Sequence, residues 1–258
     1  MNYNTLKVGD IDTTLNKVIK DVIFTSNTFI VYMDEQNVIQ WSAVGHTQFG
    51  NNFGKIQNQI SYWESICNKL FKPNDANELK MLLAEAYARM LDEGNDASAQ
   101  QIIDDAVERI KKEGGEILRL QYLVSSLITT AILILFLTII VLVKNCLLNV
   151  MSYEIYKLLT AGLLGGIGAF MATMIRSYKY KADVTSSKSV HRLDGFLRIV
   201  YGMFAGVIII LGIKSNIFLG FIKDSSNNRF LEILICLIGG SSEIILPNII
   251  KKIEKNTK

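Results

Sequence analysis

The stretch Leu120–Val143, LQYLVSSLITTAILILFLTIIVLV, contains no charged residue. Crossing the hydrocarbon of a bilayer takes roughly 20 apolar helical residues, with every main-chain polar group bonded inside the segment. A run of this kind reads as a membrane span and sets the terms for the rest of the chain. The residues before it carry most of the Asp and Glu, and those after it carry further apolar runs. With 50% hydrophobic residues overall, the chain is too apolar for an ordinary water-soluble domain.

Three more spans are expected after the first. The second runs from about Leu158 to Ile175 and the fourth from Phe230 to Ile250. The third is short: Ile199 to Ile213, between Arg198 and Lys214, covers only about 22 Å at about 1.5 Å per residue. The expected resolution is that the helix continues through SNIFLGFI and Lys214 snorkels to the outer interface. The fold class is then an α+β membrane protein. A small α+β domain over residues 1–119, with a β-hairpin or three-stranded sheet plus helices, precedes a four-helix transmembrane bundle over residues 120–258.

Basic residues near the span ends give the orientation. Arg176, Lys179, Lys181, Lys188, Arg192 and Arg198 lie between spans two and three, and Lys251, Lys252, Lys255 and Lys258 follow span four. Arg109, Lys111, Lys112 and Arg119 precede span one, while the opposite loops hold only Lys144, Lys157, Lys223 and Arg229. The N-terminal stretch has no apolar segment of a signal peptide. Both termini are therefore expected on the cytoplasmic side of an inner or plasma membrane. The basic loop also suits anionic lipid.

Inside the spans, Gly162, Gly166, Ala169 and Thr173 form a small-residue stripe that Gly165 and Gly168 widen, and Gly202 and Gly206 form a second pair. Such stripes let helix backbones approach closely, within one subunit or between copies. The last run is interrupted by GGSSEIILP. Glu243 would lie roughly 12 Å along the helix from Lys251 at about 1.5 Å per residue. A carboxylate there must face protein or water. Pro247 removes a helical hydrogen bond to Glu243, while Ser241 and Ser242 can bond freed main-chain groups. Arg176 is the expected partner of Glu243, in a structural ion pair or in a polar ring. Glu243, Arg176, Ser241, Ser242, Pro247 and Lys214 are the candidate polar or gating residues.

In the first 119 residues, Thr28–Met33 and Val38–Val44 flank the turn DEQN and read as a β-hairpin, with Ile23–Ser26 a possible third strand. GHTQFGNNFGK reads as a loop from sheet to helix, with His46, Gln48, Asn51 and Asn52 available to a ligand. It is not a phosphate-binding loop: the glycine spacing is short, and Ile56 stands where Ser or Thr would hold magnesium. Three helices follow. Ile56, Ile60, Trp63, Ile66 or Cys67, and Leu70 form an apolar stripe on the first, which Pro73 ends. Asp75 or Asn77 can cap the second, which ends at Gly94, and Asp96 or Ser98 the third. The last two resemble a single tetratricopeptide-type hairpin; those arrays need several units, so an αα-hairpin is the expectation. Gly114-Gly115 is expected to kink the helix leading to span one or to act as a hinge.

The three cysteines are scattered and the two histidines, His46 and His191, lack ligand-spaced neighbours, so neither a disulfide framework nor a zinc site is expected. No cofactor is expected. No nucleophile–base spacing or paired membrane aspartates are visible, which argues against an enzyme. A net charge of +3 gives no footprint for nucleic acid. The plan is similar in architecture to bacterial membrane proteins of stress and phage-defence systems. The expected partners are the lipid bilayer, further copies of the chain in a homo-oligomer, and a cytosolic protein or small-molecule trigger. The expectation is a channel-like or membrane-perturbing effector, the alternative a membrane-anchored scaffold or receptor.

Overall fold

A computed structural model describes residues 3–44, 52–94, 96–215 and 228–242. The protein is α+β, with a small four-stranded sheet followed by helices. The chain divides into two compact units, Met1–Ile117 with Asp183–Ser187, and Leu118–Ala182 with Lys188–Lys258.

In the first unit, strands β1 (Ile11–Asp12), β2 (Lys17–Thr25), β3 (Phe29–Asp34) and β4 (Ile39–Ala43) pair antiparallel in sequence order. The expected hairpin is β3–β4, with Val31 opposite Trp41. The possible third strand over Ile23–Ser26 is part of the longer β2, in which two register irregularities leave Lys20 and Ile23 out of the pairing with β3. The fourth strand corrects the expectation of two or three: β1 is only two residues long and has no apolar run to betray it.

Two turns are built alike, from an Asp that accepts main-chain N–H groups and an Asn in the left-handed region. Asp12 Oδ1 accepts from the Thr14 amide at 2.9 Å, and Asn16 has φ 53°. Asp34 Oδ1 accepts from Gln36 at 3.0 Å and Val38 at 2.9 Å, and Asn37 has φ 55°. Asn tolerates that region better than most residues and Asp bonds its own turn, which explains the choice. Both carboxylates are buried, and each has further partners: Tyr32 and Ser42 hydroxyls for Asp12, Lys17 and Gln40 for Asp34. Burial pushes the Asp34 carboxyl up, but the Val38 amide, Lys17 and Gln40 outweigh it and hold the group below its ordinary value.

Helices α1 (Phe53–Leu70) and α2 (Pro73–Glu93) follow. Ile56, Ile60, Ile66, Cys67 and Leu70 are buried on α1, while Trp63 is only partly buried and lies under the ammonium of Lys111 at 5.5 Å. Pro73 starts α2 as well as ending α1: it occupies the first turn, where a missing N–H costs nothing, and Lys72 is the N-cap in place of the expected Asp75 or Asn77. Gly94 closes α2 at φ 60°. Trp41 of β4 meets Phe53 edge-on at 5.0 Å and Tyr87 of α2 at 6.2 Å, which ties both helices to the sheet.

A buried charged pair lies in this unit. Lys80 of α2 is 1% exposed, sits 3.8 Å from Glu64 Oε1 and donates to the carbonyl of Asn37. Glu64 accepts from the Ile39 amide at 2.9 Å. Burial pushes the Glu64 carboxyl up against the pull of that amide and Lys80, and pushes the Lys80 ammonium down against the pull of Glu64. Burial also pushes the neighbouring Cys67 thiol up to about 12, so at neutral pH it is an inert thiol.

Helix α3 (Asp96–Leu142) is one helix of 47 residues. It runs through Gly114-Gly115 as one helix. Gly114 is there for contact: a Cβ would meet Leu70 at 3.1 Å and Val184 at 3.2 Å, whereas Gly115 has open space. The second unit continues with α4 (Lys144–Val150), α5 (Tyr153–Arg176), α6 (Lys188–Lys214) and α7 (Asn228–Ser241). Among the described residues, three helical segments are long and apolar enough to cross a membrane: α3, α5 with the turn to Lys179, and α6. The apolar helix in α7 is shorter, and its expected continuation to Ile250 lies outside the described residues. The short third run gains length at its start, while the expected continuation through SNIFLGFI lies, past Ser215, outside the described residues. Helix α6 begins at Lys188, ten residues before Arg198, and ends at Lys214. Arg192 and Arg198, read as loop cations, are therefore helical.

Two outcomes follow for the purified chain. Gly115→Ala should raise unfolding stability by about 1 kcal/mol in denaturant titration, since it removes a helix-interior glycine with no steric cost, while Gly114→Ala should gain nothing. The depressed Asp34 carboxyl adds stability that is present above its ordinary value of 3.8 and lost as pH falls through its folded value. Asp34→Asn should thus lose less stability than wild type between about pH 5 and pH 3, read as the shift in unfolding midpoint.

Candidate functional site: the helix seam and its polar-lipped cavity

The small residues of α5 and α6 meet within one chain. A Cβ on Gly165 would run into the carbonyl of Gly202 and lie 2.9 Å from Gly206 Cα. Gly202 faces the Ala169 side chain, and Gly206 faces the carbonyl of Ala161. Helix α7 enters the same seam: a Cβ on Gly240 would strike the Gly165 carbonyl, and one on Gly168 the Leu237 carbonyl. A Cβ on Gly166 would lie 2.6 Å from the Leu133 side chain of α3, and one on Gly162 3.2 Å from Val207. Gly165 is thus the point where α5, α6 and α7 come closest, with Gly162 and Gly166 on its flanks. Thr173, 1% exposed, bonds the Ala169 carbonyl and is satisfied inside α5.

One end of this unit is tied to α3. Ser125 Oγ donates to the Arg192 carbonyl at 2.6 Å, Arg192 Nε donates to Gln121 at 2.7 Å, and Gly195 packs on the Tyr122 carbonyl. The Tyr122 and Tyr180 rings stack at 4.4 Å. The Tyr180 hydroxyl lies 2.8 Å from Nδ1 of the buried His191 and donates to Asp194 Oδ2 at 3.3 Å. These groups were not singled out from the sequence. Their signal is the i, i+3, i+4, i+7 spacing of His191, Asp194, Gly195 and Arg198, which becomes visible once α6 is started at Lys188.

Here α5, α6 and α7, with Tyr122 of α3 and Tyr180, line a cavity of about 590 Å³. Asp194, Arg198, Tyr180, Ser241 and Ser242 form its polar lip, and Ala169, Ala172, Leu197 and Phe204 its apolar wall. Ser241 Oγ donates to the Ile238 carbonyl at 2.7 Å. Two of the predicted polar residues, Ser241 and Ser242, therefore line this space. Arg176 ends α5. Glu243 and Pro247 lie outside the described residues, as do His46, Gln48 and Asn51 of the proposed ligand loop. Asn52 donates both its amide (3.1 Å) and its side chain (2.9 Å) to Asp96 Oδ2, so it joins the start of α1 to the start of α3.

Lys214 is at the other end of the unit, ion-paired with Glu154 at the start of α5. Lys157, one turn on, pairs with Glu232 of α7 at 3.1 Å and lies over the Tyr153 ring at 5.4 Å. A second groove of about 530 Å³ between α3, α5 and α6 is lined by Leu133, Phe136, Ile140, Leu163, Met203 and other apolar residues. Among the described residues no group of three or more His, Cys, Asp or Glu side chains is placed to hold a metal ion.

The seam sets a graded expectation. Gly165→Ala should lower the thermal unfolding midpoint of the detergent-solubilised protein sharply, because the α6 main chain at Gly202 and Gly206 must move. Gly162→Ala should cost much less, since Val207 can yield a few tenths of an ångström.

Comparison with known protein families, curated proteins and solved structures found no match.

Proposed function

We propose that this chain is a multi-pass membrane protein and works as a homo-oligomeric, channel-like or membrane-perturbing effector controlled by its N-terminal domain, residues 1–119. In this reading the four spans are α3, α5, α6 and α7 extended towards Ile250. Both termini face the cytoplasm, following the basic residues around Arg176–Arg198 and after Lys251.

The observation that carries the reading is the continuity of α3. Its early turns bury Ala99, Ile103, Ala106 and Ile110, and its later turns are the charge-free run. A single hydrogen-bonded helix gives the N-terminal domain a mechanical route to the spans, which an anchor joined by a flexible linker would lack. The glycine seam bears on where ions would pass. Close contact of α5, α6 and α7 at Gly165 blocks a continuous path along the seam within one copy, so a conducting path would run between copies. The same tight seam also suits a passive anchor, which is the reason to keep the scaffold reading as the alternative.

Expression in cells loaded with a membrane-potential dye separates the two. The effector reading expects depolarisation when the protein is triggered or overproduced, altered by Glu243→Ala or Arg176→Ala, and a detergent particle larger than one copy. A protein that never permeabilises cells or liposomes is a scaffold or receptor.

A further inference from the structure

The cavity beside the seam has an arrangement of donors and acceptors that defines a ligand. Asp194 and Arg198 stand one turn apart on α6, about 6 Å along the axis at about 1.5 Å per residue. Asp194 offers only acceptor oxygens. Ser241 spends its proton on the Ile238 carbonyl, so its oxygen offers lone pairs to the cavity. Arg198 offers only donors, and its guanidinium has enough of them to keep an intramolecular partner while binding an anion. The lip therefore asks for a molecule with an N–H-bearing cation next to an anion. Beyond the lip, Phe204 is six residues past Arg198, so the wall runs about 9 Å into the apolar stretch of α6. That wall is open on its flank: Tyr201 is 68% and Phe204 60% exposed. On a membrane-spanning helix such side chains meet lipid, so an occupant enters sideways from the bilayer.

We propose that the cavity binds a glycerophospholipid with a primary-amine headgroup, its phosphate on Arg198, its ammonium on Asp194 and Ser241, and the upper part of one acyl chain along Ala172, Ala169 and Phe204. The volume of about 590 Å³ is that of a small-molecule site, too large for side-chain slack and too small for a whole two-chain lipid. The ethanolamine class fits better than the choline class, because a quaternary ammonium has no N–H for Asp194 and Ser241. An anionic glycerol headgroup would satisfy Arg198 but place hydroxyls, not a cation, beside Asp194. This inference rests on the membrane reading above.

The test uses the full chain in detergent, titrated with phosphatidylethanolamine, phosphatidylcholine and phosphatidylglycerol and read by native mass spectrometry of bound lipid. Phosphatidylethanolamine should bind at least about tenfold more tightly than the other two, the equivalent of about one charge-assisted hydrogen bond. Asp194→Asn and Arg198→Gln should each remove that preference, and Ser241→Ala should weaken it. Lys157→Gln, at the far end of the unit, should leave it intact. Equal affinity for the three headgroups overturns the proposal, as does an unchanged preference in both lip variants. Competition by water-soluble glycerophosphoethanolamine at the same concentration as the whole lipid also overturns it, in favour of a soluble ligand. Should the lip variants fail to give a helical circular dichroism signal, the headgroup series on wild type decides alone. Fractionation of cells tests the membrane reading separately: a chain recovered in membranes but indifferent to headgroup fails only this inference.

Discussion

The arrangement of the helical unit depends on how near the main chains of α5, α6 and α7 come at Gly165. Leucine tails and lipid tails are equally apolar, so a bundle in a bilayer gains little from hiding apolar surface. It gains from contact, and contact at main-chain distance is open only to residues without a side chain at the crossing. Gly165 satisfies that demand towards Gly202 and Gly206 of α6, and Gly240 satisfies it for α7 against the Gly165 carbonyl. The charges and cavities of this unit are placed by that crossing. Because α7 reaches α5 at Gly240, Ser241 and Ser242 fall just past the contact and line the cavity.

The first unit solves a different problem. Its sheet is small and its central strand β3 is buried along its whole length, so the helices must cover it without leaving polar groups stranded. Lys80 and Glu64 do this together: one caps the Asn37 carbonyl at the β3–β4 turn, the other the Ile39 amide at the start of β4. Such a pair is weak evidence for stability, because desolvation cancels much of the attraction. Its effect is positional, fixing α1 and α2 against a particular turn of the sheet.

Much of this was legible in the sequence for simple reasons. The charge-free run of α3, the β3–β4 hairpin around DEQN and the glycines of α5 and α6 are local patterns with one physical meaning each. What was missed depends on tertiary partners. Glu64 and Lys80 look like solvent-facing charges on amphipathic helices until the sheet is in place. The strand β1 has no hydrophobic signature and exists because β2 needs a neighbour and Asp12 a burial site. Gly114-Gly115 reads as a weak point in a helix, and the closeness of Leu70 and Val184 to Gly114 is a tertiary reason that no local pattern shows. The start of α6 is hidden in the sequence because Arg198 reads as a boundary charge. With the helix begun at Lys188, His191, Asp194 and Arg198 share a face, and the candidate site becomes readable.

The charge pairs at the far end of the unit reach beyond their modest energies. Helix α5 presents Glu154 to Lys214 of α6 and Lys157 to Glu232 of α7. Suppose α6 and α7 exchanged places around α5, giving the bundle of opposite hand. Glu154 would then face Glu232, and Lys157 would face Lys214. Glycine seams alone are nearly blind to that exchange, since small residues accept either neighbour. The two pairs of opposite polarity tell the hands apart, and the discrimination sharpens as the surrounding dielectric falls.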